Sequence, residues 1–297
     1  MIFGLALNVG EGLDESRKIA SFIAESMISR VWVSYLLRGR DPFEMASIVA
    51  AANGDLRIGI GALSPYIYTA EEIKSRMMKL IERFDLCLGL GDRKMLEDLG
   101  HRMSHSTFLK LLISTFRSVK NDLSKLNVKI WLGAQGSKTL ALSEDFDGVL
   151  LNHCSPEGVK WALEKIGSAR GFKEVGSPYP HIYEDFEADM FAYVRRAALK
   201  ILLGASRALT RELNLEAEYQ RAVSYLKSLL QEGYEAKIVS EDLVKSLTIT
   251  MHASALPNYL NIMRGLGVTE VVFGYPLSVS ITYIEILKST LARYLDP

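Results

Sequence analysis

Four turns in this chain combine glycine with polar residues where a ligand's phosphate or a substrate's polar atoms would be held. They are Gly59-Ile60-Gly61-Ala62-Leu63-Ser64-Pro65, Gly89-Leu90-Gly91-Asp92, Gly133-Ala134-Gln135-Gly136 and Leu151-Asn152-His153. A residue without a Cβ lets backbone N–H groups approach an anion, and a helix starting just beyond adds a favourable dipole. A single such turn is more simply a tight reversal of the chain. Four of them, each ending a short apolar run, point to a phosphate-bearing cofactor. Asp92 and Gln135 are the polar side chains these turns offer to a substrate. Asp92, in Gly91-Asp92-Arg93-Lys94, equally suits the cap of the next helix, and Gln135 suits a bond to its own turn.

Other chemistries find little footing. Cys154 has only its neighbour His153 as a base, and adjacent residues on an extended segment point opposite ways. There is no G-x-S-x-G elbow, and no set of His, Asp and Glu has zinc-ligand spacing. His153, directly before Ser155-Pro156, reads as a residue that orders a helix start. His101 and His105 share a polar loop with Arg102, His181 follows Pro180, and His252 has no acidic neighbour. Two cysteines make no disulfide framework. Thirty-five basic residues balance thirty-five acidic ones, so no global field draws the protein to nucleic acid or an anionic membrane. No signal peptide or membrane-spanning run is evident, and a small-molecule substrate and a cytoplasmic location are the expectations.

The elements that must position these turns alternate regularly. Strands are expected at residues 1–7, 31–34, 56–61, 85–89, 128–132 and 147–151, with a seventh within 171–183 and an eighth at 269–273. Helical patterns fill the gaps. Asp14 is placed to cap a helix over 14–27, Asp41-Pro42 opens another, a third runs from Thr69 with Glu71 and Glu72 in its first turn, and a fifth spans 136–144. Ser155-Pro156-Glu157 repeats the cap-and-proline start. Eight strands alternating with helices imply a closed parallel (β/α)8 TIM barrel rather than an open doubly wound sheet. Residues 1–297 then form a single domain. Residues 184–247 break the rhythm and read as a helical insertion between strands seven and eight, over the C-terminal mouth where such barrels keep their active sites.

The same turns carry a family resemblance. Residues 56–66, 86–92 and 129–136, with Asp147-Gly148-Val149-Leu150-Leu151-Asn152, resemble the luciferase-like superfamily, and most of all its F420-dependent methylenetetrahydromethanopterin reductases. Trp32, Glu44 and Gly267-Val268-Thr269 extend the match in order, and it thins between about 178 and 252. The resemblance implies a TIM barrel with coenzyme F420, or alternatively FMN, at the C-terminal mouth. It implies a non-prolyl cis peptide at Gly61–Ala62 and a cofactor site made by Gly61, Ala62, Gly133, Ala134, Gln135, Gly136, Leu151 and Asn152. It further implies an oxidoreductase, with Asp92 and Gln135 in catalytic places, and a homodimer formed through outer helices.

The chain also departs from the pattern. Where the branch ends its second strand in an acidic residue and a histidine, this sequence has Tyr35 and Leu36; where the reductases place a glutamate on the first strand, it has Ala6. Those replacements motivate an alternative, a non-catalytic cofactor-binding barrel. A third reading, a barrel for a different phosphorylated ligand, predicts a trans bond at Gly61–Ala62.

Overall fold

Local signals start most of the helices. Asp41 accepts hydrogen bonds from the amides of Phe43 and Glu44 at the start of α2 (Pro42–Ala52), with Pro42 in the first turn where its missing N–H is harmless. Thr69 and Glu72 form a reciprocal capping box on α3 (Ala70–Met77). Ser104 caps α4 (His105–Leu123), and Ser155 Oγ accepts from Gly158 N at the head of the helix Pro156–Ile166. The first helix, α1 (Leu13–Phe22), differs from expectation: it starts at Gly12 without a side-chain cap. Asp14 lies inside its first turn, where its charge favours the positive helix end, and it pairs with Arg17.

In the computed structural model, residues 1–8, 12–23, 26–34, 40–80, 83–91, 96, 100, 104–166, 174–178, 181–184, 198, 202, 207–229, 250–274 and 281–295 are described. Ten strands lie among them: β1 (Ile2–Asn8), β2 (Ile28–Ser34), β3 (Arg57–Leu63), β4 (Phe84–Gly89), β5 (Ile130–Ala134), β6 (Gly148–Leu151), β7 (Val175–Pro178), β8 (His181–Tyr183), β9 (Thr250–His252) and β10 (Glu270–Phe273). Eight of these close into a barrel in the order β1-β10-β7-β6-β5-β4-β3-β2, every pair parallel. The expected TIM barrel is therefore present, with β10 as its eighth strand. β8 and β9 pair with each other outside it.

Helices Arg207–Glu212 and Glu216–Leu229 fall within 184–247; most of the remaining expected insertion lies outside the described residues. After β5 the expected helix over 136–144 is a single turn, Ser137–Leu140, followed by a 3-10 turn at Ser143–Asp145. No helix of the described residues is long and apolar enough to cross a membrane.

Strand alternation sorts the side chains. Outward residues such as Leu5, Val31, Ile58, Leu86, Leu132 and Leu151 join the helices in the main apolar core. Inward residues fill the barrel. At its N-terminal end lies a charged level, with Arg30, Asp85 and Glu270 each no more than 3% exposed. Asp85 accepts from Arg57 Nε at 2.7 Å and pairs with Arg30 at 3.2 Å. Glu270 accepts from Arg30 Nη1 and, at 2.8 Å, from Trp32 Nε1. Every buried charge here has a partner, the condition under which such a cluster persists. The next level is aromatic: Trp32 and Trp131 meet edge to face, ring centres 5.4 Å apart. Gly59 makes room for this, since a Cβ there would lie 2.1 Å from the Trp32 ring.

Candidate functional site at the barrel mouth

The strand ends at the C-terminal mouth converge on a surface almost free of side chains. The peptide bond Gly61–Ala62 is cis, as the resemblance implied. The Ala62 methyl group packs on a cluster of Ala6, Trp32, Cys87, Trp131, Leu150 and Val272. Gly89 and Gly133 sit beside it in register on β4 and β5. A Cβ on Gly133 would stand 3.0 Å from the Ala62 methyl and 3.2 Å from Cys87 Sγ, and one on Gly89 would stand 3.1 Å from the same methyl. Those contacts are tight but not prohibitive, so the three strand ends approach each other because none carries more than one side-chain carbon. Ala62 and Gly133 are half-buried, facing the mouth, with the indole pair packed behind them.

The sequence-predicted residues divide by the same alternation. Gly61, Ala62 and Gly133 come together, and Gln135, Gly136 and Asn152 lie half-buried at the neighbouring strand ends. Ala134 and Leu151 belong to the helix-facing core, so they reach the mouth only through their backbones. Period-two alternation along the strands is the cause. The helix after Gly136 is one turn long, too short to supply much of the dipole expected of it. Asp92, Tyr35 and Leu36 lie outside the described residues.

The electrostatics of this end are quiet. Burial pushes the Cys87 thiol up, keeping it neutral and poorly nucleophilic. His153 is fully buried, its Nε2 2.9 Å from the Gly158 carbonyl. Burial brings its pKa from 6.5 down to about 4, with the bond to Gly158 opposing the shift. It holds the start of the helix Pro156–Ile166, as its sequence context suggested. Nearby, the Tyr259 hydroxyl donates to the Cys154 carbonyl at 3.0 Å. His105 is exposed, and His252 Nδ1 pairs with Ser254 in a 3-10 turn. Two clefts lie away from the mouth. One of about 240 Å³ sits near the N-terminal rim by Lys120 and Asn127; the other, about 400 Å³, lies between α1 and α2. Neither touches the glycine-rich strand ends that carry the argument for a ligand.

Comparison with known proteins bears on this geometry. No family profile matches the chain. The 5,10-methylenetetrahydromethanopterin reductase of Archaeoglobus fulgidus is 24% identical over 288 residues, covering 85% of this chain and 87% of that protein. The same enzyme of Methanolobus tindarius is 23% identical over 311 residues, 93% and 95% of the two chains. The coenzyme F420 dependent tetrahydromethanopterin reductase from Methanopyrus kandleri superposes with a TM-score of 0.80 at 16% identity, over 99% of both chains. The barrel fold is shared with that reductase. The likeness runs nearly end to end, including the stretch where the sequence resemblance thins.

What sequence reading missed in this barrel is the support under the mouth. Cys87, Trp131 and the charged trio Arg30, Asp85 and Glu270 were not singled out. Their signal was present as inward positions two apart on one strand: Arg30 and Trp32; Asp85, Cys87 and Gly89; Trp131 and Gly133; Glu270 and Val272.

Proposed function

We propose that this protein is an oxidoreductase that transfers hydride between coenzyme F420, with FMN as the alternative, and a small organic substrate at the barrel mouth. The observation that carries the reading is the side-chain-poor surface of Ala62, Gly89 and Gly133. It fits a flat ring, because none of these three residues carries more than a methyl group. The relatives named as reductases support the choice of F420. When bound, the cofactor supplies the redox chemistry, and the protein supplies position and surroundings.

In this reading Gly61, Ala62 and Gly133 bear the ring, and Gln135, Gly136 and Asn152 offer polar atoms and backbone at its edge. Ala134 and Leu151 contribute backbone alone. Asp92 and Gln135 contact the substrate. The apolar indole level behind the surface excludes water from one side of the ring, and the neutral Cys87 thiol adds no charge there. The reading also takes residues 1–297 as one cytoplasmic domain. It includes a homodimer through an outer helix, for which α2 is suited: Glu44 is its only charged residue, and Ser47, Ile48 and Ala51 line its cleft against Arg17.

Titration of purified protein with F420 and with FMN, followed by cofactor fluorescence, tests the function. Saturable binding of one of them is expected; no binding of either well above micromolar concentrations sinks it. Sedimentation velocity tests the dimer, and a monomer at all concentrations would remove that part. A specific observation favours a second reading, a binding barrel without catalysis: Ala6 stands buried where a proton-donating glutamate is expected of the reductases. A catalytic protein turns over its bound cofactor with a partner pool, whereas a binding relic holds it inert.

A further inference from the structure

An unbroken series of contacts runs from the charged level at one end of the barrel to the mouth at the other. Arg30 lies over both indoles, 5.6 Å from the Trp32 ring centre and 5.0 Å from that of Trp131. Trp32 presents its Nε1–H to Glu270 and meets the Trp131 ring at 83°. Both indoles then share a cluster with Cys87 and Ala6, on which Ala62 packs. The two rings are held differently. Trp131 Nε1 meets no hydrogen-bonding atom among the described residues, so that ring is held by packing and by Arg30 over its face rather than through its N–H. Trp32 is pinned by a buried carboxylate. An indole turned over about its χ2 would leave its buried N–H unpaired, and this selects one orientation.

That selection matters at the mouth because of what the mouth lacks. Where long side chains cover a core, they absorb a small shift beneath them. Gly89, Gly133 and the Ala62 methyl have nothing to adapt, so a change in indole orientation is passed directly to the backbone. We propose that Glu270, acting through Trp32, is a positioning residue that sets the level of the cofactor-bearing surface from the far end of the barrel. This rests on the reading of the mouth as the cofactor site.

A mutant cycle on Glu270 and Trp32 tests it, with F420 and FMN affinity, near-ultraviolet circular dichroism of the indoles, and urea stability as separate readouts. Trp32→Phe keeps the apolar fill and the buried charges but loses the N–H. It is expected to weaken cofactor binding about tenfold, the equivalent of about 1.4 kcal/mol. Glu270→Leu is expected to match it, with a changed indole dichroism. Glu270→Gln retains an acceptor for the indole and is expected to bind within about threefold of wild type, although its stability falls.

The decisive arm is the double variant Trp32→Phe/Glu270→Leu, which should bind no worse than either single one. Multiplied losses in that variant, or a Glu270→Gln as weak as Glu270→Leu, would show that Glu270 acts by general stability and overturn the proposal. Should Glu270→Leu not fold, Glu270→Gln, Trp32→Phe and their double variant complete the cycle with the same criterion. A wild type that binds neither cofactor overturns the functional reading and this proposal together. A wild type that binds, with affinity unchanged in every variant, overturns this proposal alone.

Discussion

At the N-terminal end of the barrel Arg30, Asp85, Glu270 and Arg57 meet in paired ionisable side chains, whereas at the C-terminal end Ala62, Gly89 and Gly133 meet with almost no side chains at all. Two levels of one barrel, separated by a pair of indoles, thus use opposite materials. The charged end is tolerant of nothing, since removing one partner strands another in the interior. At the bare end an added methyl group meets its neighbours at 3.0 to 3.2 Å, a contact that small shifts can relieve. Stability is concentrated where the strands begin, and the space for chemistry where they end, the division expected of this architecture.

The largest effect that would sharpen this contrast is at the charged end. Asp85→Ala is expected to destabilise the fold by about 3–5 kcal/mol, read as a fall in the urea midpoint, because Arg57 loses its carboxylate and buried Arg30 keeps only Glu270. A loss under about 1 kcal/mol would mean the pair carries little. Glycine substitutions compare the levels directly. Gly59→Ala drives a methyl group into a rigid buried indole and is expected to cost about 1–3 kcal/mol or more. Gly133→Ala meets only the Ala62 methyl and Cys87 Sγ at 3.0 and 3.2 Å. It should cost about 1 kcal/mol or less while weakening cofactor binding about tenfold. Equal effects of the two on stability would break the contrast.

The pH response is a third test. His153 is held neutral, its pKa lowered to about 4 from 6.5. Between those values the unfolded chain binds the proton and the folded one does not, so stability falls as pH falls. The slope approaches about 1.4 kcal/mol per pH unit, for a total of about 3 kcal/mol. Urea titrations from pH 7 to pH 4 on wild type and His153→Gln should show this slope only in the wild type. Smallest of all, Thr69→Ala removes the capping box of α3 and should cost about 1 kcal/mol with no change in cofactor affinity.

The barrel was legible in the sequence because its helix starts are chemical and local. Asp41-Pro42, Thr69 with Glu72, and Ser155-Pro156 each announce a boundary by the hydrogen bonds they are able to make. Asp14 misled because a helix also accepts an uncapped start at Gly12 with acidic residues in its first turn. The glycine-rich strand ends were legible for a similar reason, since Gly61 and Gly133 have few structural uses as economical as a close approach. The resemblance implies Ala134 and Leu151 as site residues, and strand alternation turns their side chains toward the helices. The charged level was not legible, because Arg30, Asp85 and Glu270 are 55 and 185 residues apart along the chain and only the strand order β10-β1-β2-β3-β4 brings them together.

Titration of F420 and FMN into wild type and into Gly133→Val tests the central claim most directly. A branched side chain at that position would rise from the bare surface while leaving the charged level untouched. The account predicts saturable binding of one cofactor to the wild type and none to a folded Gly133→Val. Equal binding to both, or binding to neither, would contradict it.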